Sequence, residues 1–279
     1  MPLNKTYTKE ELQQLHDTLY EILAEISRVC EKLKIHFFLT GGSVIGAKFW
    51  QGIIAWDDDI DIGMKREDYE IFLREAPKIL QKKYFLQWYG SDPHTPFYFA
   101  KLRKNGTVFQ EEIAEGLGMH NGIYIDIFPF DKIPDNKTTR KWQRKLALLL
   151  DDCFFCKEVW PYQYFGKCKL STPFKQTVFH MFKIRLLSMM MSRSFAYKCF
   201  CKVQQAFNFK SCKYYGQMMI KNEIIPADEI DKVKFVKFGN KLMPVPFDSD
   251  LYLKNHYGKV EKYPPEEMRV THKPTHLSF

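Results

Sequence analysis

The run AWDDDIDIGM, residues 55–64, constrains this chain more than any other stretch. Asp57, Asp58, Asp59 and Asp61 put four carboxylates within five residues, with Trp56 before them and Ile60 and Ile62 interleaved. Two like charges about 4 Å apart repel by roughly 1 kcal/mol in water and roughly 4 kcal/mol at an effective dielectric near 20. Strand alternation predicts Asp57, Asp59 and Asp61 on one face, with Ile60 and Ile62 turned towards a core. Such a face calls for solvent screening or a divalent cation. An EF-hand loop is excluded: counting from Asp57, the glycine that must stand sixth arrives one residue late, at Gly63.

Around that run the apolar periodicities alternate between helix and strand. Thr8 and Glu11 form a capping-box pattern, and Leu12, Leu15, Leu19, Ile22, Leu23 and Ile26 follow at helical spacing, predicting a helix over 8–34. Ile35 to Leu39 reads as a short strand, Thr40 to Ser43 as a tight turn, and Val44 to Trp50 as a helix. KREDYEIFLREAPKIL is an amphipathic helix, and YFLQWYG, FYFAKLRKNG and GIYIDIFPFD are strands. FVKFGNKLMPVPFDSDLYLKNHYG reads as one strand, a Pro-rich turn and a short helix, before a loop-like tail. The fold class expected is α+β: a mixed sheet flanked by helices, with a helical insertion. The division expected is 1–135 for a catalytic core, 136–215 for a basic helical insertion, and 216–279 for a return to the core.

The chain has 279 residues, 42 Lys and Arg against 33 Asp and Glu, and a net charge of +9. That balance suits phosphate-rich partners: nucleotides, anionic membranes or nucleic acid. It does not choose among them. The Phe- and Met-rich stretch 136–215 carries the same alternatives: a helical subdomain over the sheet, a membrane-surface element, or a nucleic-acid binder. No nucleic-acid motif supports the third, so no nucleic-acid partner is expected. No signal-peptide pattern opens the chain and no apolar run reaches membrane-spanning length, so a cytoplasmic protein is expected. Seven cysteines are then reduced thiols. Cys153, Cys156, Cys168, Cys199, Cys201 and Cys212 lack a regular four-ligand spacing, which favours buried thiols over zinc.

The chemistry concentrates in three places. Gly42 and Ser43 at a helix start offer amides, a hydroxyl and the helix dipole to a phosphate. Asp59 and Asp61 at i, i+2 suit Mg²⁺ held between protein and phosphate oxygens, with Mn²⁺ as the alternative ion. Asp126 stands alone among apolar residues in GIYIDIFPF, where a buried acid needs a partner. That partner is either the same cation or a nearby Lys or Arg. His120, just before that strand, is a candidate acid or base or a bystander.

GGSVIGAKFWQGIIAWDDDIDIGMKREDYEIFL, then KLRKNGT, GIYIDIFPFD and YLKNHYGKVEKYPPEEMRVTHK, in that order, resemble the LicD family. The likeness covers most of 15–135 and 235–274. It implies a nucleotidyltransferase-like sheet and Asp59, Asp61 and Asp126 as metal-binding catalytic acids, with Asp57 assisting. It also implies a CDP-linked donor, CDP-choline foremost, and a glycan or glycolipid acceptor, often lipid-linked, which adds peripheral contact with the inner face of a membrane as an option for a cytoplasmic protein. The alternatives are a nucleotidyltransferase that adds NMP, or a non-catalytic member that binds nucleotide and metal. Family members usually carry a basic run before the acidic strand and a proline before the tryptophan; Phe49-Trp50-Gln51 and Ala55 stand there instead. Lys48, Lys101, Arg103 and Lys104 are the cations that could replace that run, unless the last three line a solvated strand edge. Arg269, His272 and Lys273, placed by the resemblance against the catalytic face, are further phosphate contacts unless the terminus is free.

Overall fold

The structure is a computed structural model that describes residues 7–159, 182, 184–266, 269, 271, 272 and 274–279. The long N-terminal helix α1 (Lys9–Leu33) forms as its sequence dictates. Thr8 Oγ1 accepts from the Glu11 amide at 3.0 Å and Glu11 Oε2 accepts from the Thr8 amide at 2.9 Å, closing both halves of the capping box. Leu15, Leu19, Ile22, Ile26 and Val29 form its buried stripe. Lys34 ends it in the left-handed region, with φ +57°.

The central sheet runs β1 (Phe38–Leu39), β2 (Asp61–Lys65), β6 (Tyr124–Ile133), β4 (Ala100–Lys104), β3 (Tyr84–Gln87). The pair β2–β6 is parallel and the other pairs antiparallel. The helices α2 (Gly41–Trp50) and α3 (Arg66–Glu75) stand before and after β2 in the chain, on either side of the acidic run. The strand β5 (Val108–Gln110) lies outside this sheet.

The ten-residue β6 is the spine. Its first residues pair with β4 through Ile127, and from Asp131 it pairs with β7 (Tyr214–Gly216), which carries β8 (Ile224–Pro226). Pro129, which has no N–H, falls in the interval between these two antiparallel ladders, which is how a proline is accommodated in a central strand. Gly63 of β2 lies under the edge-to-face pair Phe38 and Phe130; a Cβ there would stand 2.6 Å from the Phe130 ring and 2.7 Å from that of Phe38.

The insertion begins with α4 (Lys137–Phe155), capped by Asn136, and continues with α5 (Arg193–Gln204), capped by Ser192; these two helices pack on each other. Residues 160–181 and 183 of the expected helical insertion lie outside the described residues, Cys168 among them. The described cysteines are free, and none joins a cluster with metal-ligand geometry.

Two sequence expectations are corrected. The stretch FVKFGNKLMPV is a hairpin of two strands, β9 (Lys234–Phe238) and β10 (Lys241–Val245), because Gly239 takes φ +64° and turns the chain. Between β8 and β9 lies α6 (Ala227–Asp231), and after β10 comes α7 (Ser249–Tyr257). The tail is not a free end: β11 (His276–Ser278) pairs with β5.

A buried ion pair of the core also meets the insertion. Arg66 grips Asp131 with two bonds, 2.9 Å from Nε and 2.6 Å from Nη2, and also meets Gln204 of α5. Removing one partner of such a pair strands a buried charge and costs about 3–5 kcal/mol. Asp131→Ala should therefore lower the thermal midpoint by roughly 10 °C, whereas a surface Asp231→Ala should move it by about 2 °C or less.

Candidate active site

The acidic run is built differently from a plain strand. Strand β2 begins only at Asp61, so Asp57 to Ile60 form the loop that enters it. The expected alternation therefore does not set Asp57, Asp59 and Asp61 on one strand face. Ile60 and Ile62 are nonetheless fully buried, and they anchor the loop from below. The parallel register places Asp61 directly beside Asp126, and the Asp126 amide donates to Ile60 O at 3.1 Å. Two distant acids thus meet at the entry ends of neighbouring strands.

The start of α2 closes over them. Gly41 has φ +56°, and a Cβ there would meet Asp61 Oδ2 at 2.9 Å; one on Gly42 would lie 3.3 Å from Asp57 Oδ2. Ser43 Oγ accepts the Asp61 amide at 2.8 Å, bracing the helix start against β2. The expected tight turn is thus the first turn of α2. Its positive dipole end faces carboxylates, which favours their ionised form. Behind it, Tyr252 OH accepts from the Gly41 amide at 2.7 Å and donates to Glu223 Oε1 at 2.6 Å, and Thr40 Oγ1 also donates to Glu223. His256 Nδ1 lies 2.6 Å from the other Glu223 oxygen. This network comes from residues past 220, and no local pattern in the sequence announced it.

Asp58, which the strand reading set aside, is the most heavily engaged of the four. Its carboxylate accepts from Tyr7 OH at 2.6 Å and from the His272 amide at 2.9 Å, and it meets His272 Nδ1 at 3.1 Å. The same nitrogen lies 3.4 Å from Asp59 Oδ2. So the tail delivers a cation into the acidic loop. Burial alone would lower the His272 pKa, but the hydrogen bond to Asp58 and the charges of Asp59 and Asp58 carry it up to about 10. Asp58 is held below the ordinary carboxylate value because His272 and Tyr7 outweigh its burial.

The remaining acids move the other way. Burial, then Asp59 and Asp58, push Asp57 up to about 8. Burial raises Asp59 to about 6, with His272 opposing and Asp58 and Asp126 adding. Asp61 is raised well above its ordinary value by burial and by Asp59 and Asp126. Asp126 is also raised, burial leading and Lys101 opposing. Asp59, Asp61 and Asp126 thus share one field. Among the described residues, however, the trio with ligand atoms all within 4.8 Å is Asp58, Asp59 and His272.

Several expected contacts are corrected. Lys101 and Arg103 lie on β4, which is interior to the sheet, and are 2% and 0% exposed, so they line neither a solvated edge nor a substrate surface. Lys101 Nζ sits 2.9 Å from Asp126 Oδ1 and 3.4 Å from Glu111 Oε2, stacked against Phe97 and Tyr124. It positions Asp126. Arg103 is enclosed by Gln87, Gly122 O and Glu111. Lys104 pairs with Glu21 at 2.7 Å. Lys48 is about 9 Å along α2 from Gly42 and pairs with Asp250 at 2.6 Å. His120 stacks on Phe85 and bonds Asn105, away from the acids. Arg269 does flank the loop: its guanidinium lies 4.5 Å over the Trp56 ring, which itself packs edge-on against Trp50. Lys273 lies outside the described residues.

These shifts fix a pH dependence for the metal-free protein. Asp57 and Asp59 hold more protons folded than unfolded between their ordinary value of 3.8 and about 8, so unfolding free energy falls as pH rises through that window. His272 works in the same direction: its contribution is full below its ordinary value of 6.5 and is lost as pH rises from there through about 10. In chelator, the thermal midpoint should be higher at pH 6 than at pH 8, and Asp57→Asn should flatten the difference. An equal or larger pH effect in that variant would refute the assignment.

A family model described as LicD/FKTN/FKRP, nucleotidyltransferase domain, matches residues 34–173. The lipopolysaccharide cholinephosphotransferase LicD of Haemophilus influenzae is 25% identical over 262 residues, covering 90% of this chain and 91% of that protein. Two uncharacterised proteins, from Rickettsia typhi and Rickettsia prowazekii, match shorter stretches at 34% over 67 residues and 35% over 72 residues. They span 24% and 25% of this chain.

Proposed function

We propose that this chain, which belongs to the LicD family, transfers phosphocholine from CDP-choline to a hydroxyl of a glycan or glycolipid. The observation that carries the reading is the parallel β2–β6 register, which brings Asp61 beside Asp126 under the N-terminus of α2. The relative that this chain matches over nearly its whole length is named for phosphocholine transfer on lipopolysaccharide.

The donor set fits a hard cation. Asp57, Asp59, Asp61 and Asp126 offer only carboxylate oxygens, and each raises the pKa of its neighbours or has its own raised, so like charge is left for a cation to balance. Asp59, Asp61 and Asp126 would hold Mg²⁺, or Mn²⁺ in its place, with Asp57 beside them. Bound there, the ion supplies charge neutralisation to the donor diphosphate and to the leaving CMP. The protein's own groups do the rest. Lys101 fixes Asp126, and His272 holds Asp58 and Asp59 in place from the tail. Gly42, at the open start of α2, and Arg269, on Trp56, are the groups that meet the donor phosphates. The acceptor oxygen attacks the phosphorus that bears choline, a carboxylate of the cluster takes its proton, and the P–O bond to CMP opens.

Nucleotidyl transfer is the second reading, favoured by the description of the matching family model. It would leave the whole nucleotide on the acceptor. A non-catalytic member is the third, motivated by Ala55 and by Phe49-Trp50-Gln51 where the family carries a proline and a basic run. It would bind Mg²⁺ and nucleotide without turnover.

Incubation with CDP-choline, Mg²⁺ and a mixed glycan pool should release CMP and label the glycan with phosphocholine. Asp59→Asn and Asp126→Asn should each lower the rate on the order of 10²-fold or more, and the thermal midpoint of Asp59→Asn should hold or rise. CMP release retained in Asp59→Asn would sink the metal-site assignment, and an acceptor carrying CMP would install the second reading.

A further inference from the structure

The charge of this chain is not evenly spread. Residues 136–215 hold 16 Lys and Arg against three Asp and Glu, while all other residues hold 26 against 30. The whole positive excess therefore lies in the insertion, and the catalytic core is slightly acidic.

The insertion also exposes large apolar side chains. Trp142, Leu146, Phe182, Leu186, Met189, Met190, Phe195 and Phe209 are each between 47% and 80% exposed. Single exposed apolar residues are ordinary, but these are patterned. On the helical stretch 184–189 and its flanks, Ile184, Leu187 and Met191 pack inwards with Cys153 and Phe154 of α4. Phe182, Leu186, Met189 and Met190 recur at i, i+4, i+7 and i+8 on the opposite side. An outward helix face in water should be polar; this one is apolar. On α4, Trp142, Leu146 and Leu149 share a stripe, and Leu149 reaches the cluster that holds Leu187 and Met191, so the two exposed sets adjoin.

Cations interleave with these residues. Lys141 and Lys145 flank Trp142 and Leu146, with Lys145 Nζ 4.5 Å over the Trp142 ring. Lys198 and Lys202 follow Phe195 along one face of α5, and Lys210 lies over Phe209. Apolar side chains ringed by lysines match the interface of an anionic bilayer, where the first enter the acyl boundary and the second meet phosphates. They do not match a nucleic-acid groove, which offers exposed methionines nothing to bury in.

We propose that the outer faces of α4 and of 184–190, with Phe182 beside them, dock this protein on the surface of an anionic lipid bilayer. The docking does not depend on the phosphocholine reading; it would hold for any chemistry at the acids. It explains why the net positive charge of the chain lies in the insertion.

The test is flotation of the full chain with vesicles of phosphatidylcholine, with and without a large share of phosphatidylglycerol. The wild type should float with the anionic vesicles and not with the neutral ones. Lys141→Glu and Lys145→Glu should each weaken binding about fivefold or more. Trp142→Ala, and Leu186→Ser combined with Met190→Ser, should weaken it also, at both low and high salt. Phe235→Ser and Leu242→Ser, exposed on the β9–β10 hairpin, should not. All these side chains are exposed, so thermal unfolding should be unchanged. Three results would each overturn the proposal: equal flotation with neutral vesicles, loss in the lysine variants alone together with equally tight binding to RNA, or apolar variants that change the oligomeric state without changing flotation. The second would mark a polyanion binder, and the third an interface between copies of the chain.

Discussion

One backbone pairing carries this structure. Because β2 and β6 run parallel in a register that opposes Asp61 to Asp126, carboxylates from two distant segments are forced into one field. The cost of that repulsion is met locally rather than by solvent. Lys101 sits on Asp126 from the neighbouring strand, His272 sits on Asp58 and Asp59 from the tail, and the start of α2 turns its positive end inwards. The meeting of Asp61 with Asp126 depends on that register, because a slip of one residue would put Ile125 or Ile127 beside Asp61 instead. What the protein leaves unbalanced, with Asp57, Asp59, Asp61 and Asp126 all raised, is the part a ligand would balance.

The long-range ties follow from the same need. The tail crosses to Asp58, β11 pairs with β5, and Glu223 with Tyr252 supports the first residues of α2 from beyond the insertion. The core is therefore discontinuous in sequence: the early strands supply the acids and the last third supplies the groups that hold them. The basic insertion between them leaves this scaffold through β6 and returns through β7, and its Gln204 meets the Arg66–Asp131 pair. Chemistry and positive charge are thus kept on separate parts of one chain.

Much of this was legible in the sequence where the signal is local. The capping box at Thr8 and Glu11, the alternation of Ile60 and Ile62, and the isolation of Asp126 among apolar residues each reported their own surroundings correctly. Failures came where a residue's fate is set by a partner far along the chain. Lys101 and Arg103 read as donor-phosphate cations or as a solvated strand edge because nothing local says that β4 lies between β6 and β3. Asp58 was passed over because strand alternation pointed it away, whereas the loop before β2 frees it to meet His272, more than 200 residues on. Pro244 read as a turn, but it belongs to β10, an edge strand of a hairpin, where a missing amide is tolerated.

The central claim is that the carboxylates are kept together by sharing their charge with a cation and a diphosphate. Titration calorimetry of Mg²⁺ in the presence of CDP-choline tests it most directly, run in two buffers of different ionisation enthalpy. The account expects one saturable Mg²⁺ event whose heat depends on buffer, because raised carboxylates must release protons as the ion binds. It expects that event to vanish when Asp61 and Asp126 are both replaced by Asn. Saturable Mg²⁺ binding that survives the double replacement, or no binding in the wild type, would contradict it.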